Sequence, residues 1–209
     1  MDILYKDSHI VVCIKPSGLL SAKDSSENAN MQDVLASELD VPEVYPVHRL
    51  DKEVSGVMVY ALNKASAAKL SADVSNKERF KKGYYAVVQG KPNDQSGVFE
   101  DLLFKDTKKS KSFVVNKMRK GVKTAKLEYE VLNTKEDFSL VKVILHTGRT
   151  HQIRVQFASR KMALVGDRKY GGIKNEKGIA LKSVSLDFYH PKTNEQLHFE
   201  QIPNIDEMI

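Results

Sequence analysis

Apolar residues fall in short runs separated by polar punctuation, and the period of each run predicts an element. Residues 3 to 14 hold two apolar stretches interrupted by Lys6, Asp7 and Ser8, the pattern of strand, turn and strand, which Lys15-Pro16-Ser17-Gly18 then ends. The polar stretch Ser21 to Asn30 reads as a loop. Met31, Val34, Leu35 and Leu39 recur at helical spacing and predict a short amphipathic helix. An irregular stretch, Val44 to Gly56, opens into the valine-rich run Val57 to Leu62, a buried strand. Alanine-rich Asn63 to Ser75 predicts a helix capped by Asn63, and Tyr84 to Val88 a strand ended by Gly90 and Pro92.

Lys91 to Lys123 is the most polar segment, and weak strand patterns such as Phe113 to Val115 predict an extended hairpin or a mobile arm. Ala125 to Leu132 alternates apolar and charged residues as a half-exposed strand does, and Ser139 to Leu145 adds another. His151 to Arg160 predicts a helix. Leu164 and Val165 precede a turn at Gly171 and Gly172, and strands near Ile179 to Phe188 and Gln196 to Phe199 close the chain. Strands outnumber helices without regular βαβ alternation, which predicts an α+β fold on a mixed, mostly antiparallel sheet flanked by helices and loops. At 209 residues, with no repeat and no low-complexity linker, residues 1–209 are expected to form a single domain.

Composition narrows the partner class. The chain is 41% hydrophobic and 29% charged, ordinary for a soluble globular protein, and its formal charge of +6 suits an anionic partner if the excess is clustered, or plain solubility if it is not. The single cysteine, Cys13, excludes an intramolecular disulfide and a cysteine-based zinc site; within the apolar run Ile10 to Ile14 it reads as a small core residue. No stretch reaches the length of a membrane span and no basic segment precedes a signal-like apolar region, so a cytoplasmic protein with no membrane partner is expected.

Three constellations place polar groups where a sheet would bury apolar ones: His48-Arg49-Leu50-Asp51 with Ser55-Gly56, Lys82-Gly83-Tyr84-Tyr85-Ala86 leading to Gly90, and Thr147-Gly148-Arg149-Thr150-His151-Gln152-Ile153-Arg154. Individually they are weak, since an Arg-x-Asp pair is most often a loop salt bridge. His146, His151 and His48 come without a His-Glu-x-x-His pattern or a carboxylate cluster, so no metal site is expected, and no phosphate-binding loop occurs.

Together the constellations resemble a family. The runs HRLDKEVSG at 48 to 56, KGYYAVVQG at 82 to 90 and TGRTHQIRVQFA at 147 to 158, followed by VGDRKYGG at 165 to 172, are similar to the RluA-type RNA pseudouridine synthases. KPSGLL at 15 to 20 and His190-Pro191 resemble that family too, in the same order. Two positions depart from its pattern: Gln156 follows Val155 where relatives commonly have histidine, and Leu127 stands where many have threonine.

The resemblance implies the pseudouridine synthase fold with an active-site cleft across the sheet, and an isomerase that converts specific uridines to pseudouridine in structured ribosomal or transfer RNA. It implies Asp51 as the catalytic carboxylate, with Tyr84 and Arg154 as its companions in the active site. No cofactor is expected, because an isomerisation involves no net redox change or group transfer. Attack on the sugar, attack on the base, and elimination through a glycal all stay open. Asp51 has to remain ionised, and an Arg154–Asp51 pair is the expected means. His48, Arg49, Arg149, His151 and Gln152 are candidates for pocket architecture or RNA contact, and Lys108, Lys109 and Lys111 for gripping the RNA backbone. Many relatives carry an N-terminal S4-type RNA-binding domain; this sequence opens directly on the catalytic motifs, so recognition is expected from the catalytic domain itself, acting as a monomer. The competing reading, a non-catalytic RNA-binding or ribosome-assembly protein with the same fold, has the loss of Asp51, Tyr84 or Arg154 as its signature; all three are present.

Overall fold

The computed structural model describes residues 1–25, 28–203, 206, 208 and 209; residues 26 and 27 of the expected Ser21–Asn30 loop lie outside the described residues. In chain order the elements are β1 (Ile3–Lys6), β2 (Ile10–Lys15), α1 (Met31–Leu39), β3 (Tyr45–Pro46), β4 (Ser55–Ala61), α2 (Lys64–Asp73), β5 (Phe80–Gln89), β6 (Ser96–Asp106) and β7 (Lys111–Val115). There follow β8 (Val122–Lys135), β9 (Phe138–Leu145), α3 (Gln152–Ala158), a 3-10 turn at Arg168–Tyr170, β10 (Leu181–Tyr189) and β11 (Gln196–Glu200). The fold is α+β, as expected. No helix among the described residues is long and apolar enough to cross a membrane. The chain divides into two compact units, Met1–Lys82 with Ser183–Ile202 and Gly83–Lys182 with Pro203–Ile209.

In the first unit the strand order is β1-β2-β4-β10, with β3 on β4 and β11 on β10. The β1–β2, β2–β4, β3–β4 and β10–β11 pairings are antiparallel. The unbroken apolar run of β2 matches its position between two neighbours, where alternating polar residues would be stranded away from water. Ile10, Val12, Val57, Val59, Leu70, Phe80, Leu186 and Phe188 form one buried cluster, each burial stabilising the fold by roughly 1.5–3 kcal/mol. Cys13 is wholly buried and its thiol is pushed up to about 12, chiefly by desolvation, so it packs and does not react. Both helices start on asparagine: Asn30 accepts from the Asp33 N–H and Asn63 from the Ser66 N–H, each meeting a first-turn donor the helix cannot satisfy itself.

The second unit orders its strands β5-β9-β8-β6-β7, all antiparallel. The alternation read in Ala125 to Leu132 is real: Ala125, Leu127, Tyr129 and Val131 are buried, and Phe99, Tyr129 and Phe157 form a ring cluster with centroids 4.8–5.8 Å apart. The polar segment 91–123 holds the expected hairpin, β6–β7, whose first strand also pairs with β8. The helix expected over His151–Arg160 is shorter, because His151 takes a left-handed conformation (φ 54°) and sits outside the first turn.

One contact in the first unit admits only glycine. Gly56, with φ of 126°, brings β4 so close to β10 that a Cβ would lie 2.0 Å from the Ser183 carbonyl oxygen and 2.6 Å from its nitrogen. Gly56→Ala is expected to cost at least about 2 kcal/mol through overpacking and backbone strain. Urea unfolding followed by circular dichroism reads this as a lower midpoint; an unchanged midpoint would mean the two strands part without penalty.

Candidate active site

In the first unit, Asp51 opens a turn closed by the Val54 N–H donating to the Asp51 carbonyl, at 3.0 Å. That turn is built against the segment 15–21. The Lys15 ammonium donates to the carbonyls of Pro16 (2.8 Å), Lys52 (3.1 Å) and Val54 (2.8 Å). The Gly18 N–H donates to the Lys52 carbonyl and the Ser17 hydroxyl to that of Glu53. Ser21 Oγ donates to the Leu50 carbonyl and accepts from the Leu50 N–H. Lys15 is fully buried, and desolvation lowers its ammonium to about 8, opposed by the negative charges of Glu53 and Asp51. A cation therefore lies within electrostatic reach of the Asp51 carboxylate on the same unit.

His48 is buried, its ring edge-on to Phe80 and its Nε2 accepting from the Val59 N–H at 3.2 Å. Burial, with the Lys82 charge adding to it, holds its imidazole down to about 3. Arg49, by contrast, is exposed and has no hydrogen-bond or ion-pair partner among the described residues.

In the second unit Tyr84 is buried on β5 opposite Val143, while Tyr85 packs with the cluster of Val87, Leu140 and Val165 on the other face of the strand. Arg154, on α3, is 2% exposed, and Asp167 holds it bidentately, through Nε at 2.7 Å and Nη2 at 2.9 Å. Asp167 is itself wholly buried, and its backbone is fixed by a bond to the Leu164 carbonyl and by the N–H groups of Tyr170 and Gly172. A two-point bond between two buried, locally anchored groups fixes the plane of the guanidinium as well as its position.

Tyr170 gathers the surroundings of Arg154. The guanidinium lies 5.4 Å from its ring centroid and the Lys111 ammonium 4.8 Å. Its hydroxyl meets His151 Nδ1 at 3.0 Å and accepts from the Ser112 N–H at 2.8 Å. Gln152 is buried and knits its own turn, accepting from the Thr147 hydroxyl and the Arg149 N–H and donating to the Lys126 carbonyl. Arg149 donates through Nε to the Thr124 carbonyl. Lys111 donates to the Lys169 carbonyl at 2.7 Å, while Lys108 and Lys109 carry exposed ammonium groups. Of the residues expected to touch RNA, Gln152 spends its side-chain amide on the protein and His48 its Nε2, the buried Nδ1 of His48 meeting no hydrogen-bond partner among the described residues, and Lys111 is tied to the loop at Lys169. Lys15, Asp167 and Tyr170 stand outside the residues expected at the site although they lie within its sequence motifs; the signal for each is a charged or phenolic residue beside a glycine-marked turn.

Residues 9–159 match the family model described as RNA pseudouridylate synthase. The chain belongs to this family. The RNA pseudouridine synthase MG209 homolog of Mycoplasma pneumoniae is 34% identical over 206 residues, covering 96% of this chain and 66% of its own length. The dual-specificity RNA pseudouridine synthase RluA of Escherichia coli is 34% identical over 204 residues, covering 95% of this chain and 91% of its own length. This chain also spans 66% of the length of the Bacillus subtilis RNA pseudouridine synthase YhcT. The solved structure of human RNA pseudouridylate synthase domain containing 4 shares the fold, with a TM-score of 0.81, 23% identity, and coverage of 99% of this chain and 91% of that one.

The buried histidine of this pseudouridylate synthase family member makes a prediction about acid stability. The folded-state value of His48, about 3, lies below the ordinary 6.5, so between those pH values the unfolded chain binds a proton that the folded protein refuses. Stability contributed at this site is complete above 6.5 and declines as pH falls through the window, by about 1.4 kcal/mol per unit. His48→Asn, which retains an acceptor for the Val59 N–H, is expected to move the acid-unfolding midpoint to lower pH. A midpoint that does not move would remove the buried imidazole from the acid response.

Proposed function

We propose that the chain isomerises specific uridines to pseudouridine in structured ribosomal or transfer RNA, with residues 1–209 serving as a single catalytic domain that acts as a monomer in the cytoplasm. The observation that carries this reading is the Asp51 turn, held by Lys15, Ser17, Gly18 and Ser21 in a chain that belongs to the RNA pseudouridylate synthase family.

Pseudouridine formation breaks an N-glycosidic bond, turns the uracil and forms a carbon–carbon bond to the same sugar without releasing the base. Asp51 supplies the carboxylate, and the bonds to its turn hold its backbone fixed so that little reorganisation is needed as charge develops. Lys15 contributes a fixed positive charge nearby that favours the anion. Tyr84 packs against the uracil, and Arg154, its plane set by Asp167, presents an oriented guanidinium to the reacting nucleotide. The target nucleotide has to leave its stack, at a cost of a few kcal/mol. Arg49 and the exposed Lys108 and Lys109 bind phosphates that accompany it; Arg149 and His151 shape the loop that carries Arg154; and His48 and Gln152 support this chemistry by holding their loops.

Asp51→Asn is expected to abolish pseudouridine formation by the purified protein while changing RNA affinity by no more than a few fold. Tritium release from uridine labelled at C5 measures the first and filter binding the second. Product formation by Asp51→Asn at the wild-type rate would refute the assignment.

A further inference from the structure

The β6–β7 hairpin has two faces of different character. Leu103 and Val114, partners in the register, turn toward α3 and pack with Ala125, Val155 and Tyr170. Strand alternation therefore puts the next pair, Phe104 and Phe113, on the opposite face together with Val122, the partner of Phe104 on β8. Neither phenylalanine ring meets another aromatic ring among the described residues. What faces them is positive charge: the Arg119 guanidinium lies 5.0 Å from the Phe104 centroid, and the Lys109 and Lys111 ammonium groups 5.9 and 5.7 Å from that of Phe113.

The surroundings point to an anionic, aromatic occupant. Lys108, Lys109, Lys117, Arg119 and Lys120 are exposed and have no carboxylate partner among the described residues. Between two of these cations, on the turn from β7 to β8, Met118 is a large apolar side chain that is 59% exposed. Gly121 in the same turn adds no side chain, and even a Cβ there would come within 3.5 Å of the Phe104 ring. Solvated lysines alone grip phosphates without regard to the bases. Aromatic and thioether surface set among unpaired cations suits a nucleobase whose flanking phosphates the cations neutralise, because base–aromatic stacking and phosphate contact then act on the same nucleotide. Bases inside an A-form helix have no free face to offer, so the occupant is an unpaired one.

We propose that Phe104, Phe113, Met118 and Arg119 form a stacking subsite for one unpaired base of the substrate RNA, apart from the uridine that is modified. The proposal rests on the RNA-modifying reading and deepens it: the preferred substrate presents a single-stranded residue to this hairpin, and the hairpin selects for it. Lys109 and Arg119 anchor the neighbouring phosphates, and the rings supply the part of the affinity that salt does not screen.

The test uses two probes, a single-stranded oligoadenylate carrying one 2-aminopurine and an RNA duplex of equal charge, titrated against the intact protein at several salt concentrations. Wild type is expected to quench the 2-aminopurine on binding. Phe113→Leu weakens single-strand binding at least about fivefold, the stacking contribution of one base, with the salt slope and duplex affinity unchanged. Phe113→Tyr, which keeps the aromatic face, restores it. Lys108→Ala with Lys109→Ala lowers the salt slope for both probes. Absence of quenching by wild type, single-strand affinity unchanged in Phe113→Leu, or equal weakening on both probes would overturn the subsite, the last because it signals a damaged hairpin. Binding is read without turnover, so failure here leaves the Asp51 assignment standing, and an inactive enzyme leaves this measurement intact.

Discussion

The Lys15 ammonium is buried completely, and a buried cation without compensation costs several kcal/mol. It is tolerated because three carbonyls, from Pro16, Lys52 and Val54, converge on its three protons. The same bonds that solvate the lysine specify the turn. Two of the carbonyls belong to the residues just after Asp51, so the turn that presents the carboxylate cannot relax without stranding the charge. Ser17, Gly18 and Ser21 extend the template from Leu50 to Glu53. The support comes from a core strand, β2, whose last residue is Lys15.

The second unit solves a related problem differently. Arg154 sits on a helix of seven residues whose side chains are nearly all buried, and its partner is a carboxylate thirteen residues on in the chain. A bidentate ion pair removed from water leaves the guanidinium one orientation. Tyr170 then ties the ring of contacts around Arg154 to the backbone of the β6–β7 hairpin through Ser112. The hairpin that carries the exposed cations is in this way fastened to the element that carries the arginine.

Much of the fold was legible because its elements are simple in period. The apolar spacing of α1 marked Met31 to Leu39 as the structure has it, the Asn63 cap was readable from its side chain, and the alternation in β8 announced a one-sided strand. The ends of α3 were not, since nothing in local propensity tells that His151 adopts a left-handed conformation. The polar segment 91–123 hid its strands because its lysines mask a period of two that only Leu103, Val114 and their cross-strand neighbours carry. The candidate site was legible as motifs and not as interactions. Within the second unit Arg154 is held bidentately by Asp167, a residue of the VGDRKYGG run whose part in orienting the arginine no local pattern announces. Lys15 looked like punctuation between a strand and a loop, because a lysine bonded to three carbonyls leaves no trace in hydrophobic periodicity.

Charge on this chain is thus divided between two tasks. Lys15 and Arg154 are buried and spend their charge on geometry, while Arg49, Lys108, Lys109 and Arg119 stay exposed. On the proposed function, the first group orders a carboxylate and a guanidinium for work on uridine. The most direct measurement is a transcriptome-wide pseudouridine map, by carbodiimide modification and primer extension, of cells lacking the gene and of the same cells complemented. At least one pseudouridine in ribosomal or transfer RNA is expected to disappear with the gene, to return with the wild-type chain and not to return with Asp51→Asn. A map unchanged by the deletion, or restored equally by the asparagine variant, would contradict the proposed function.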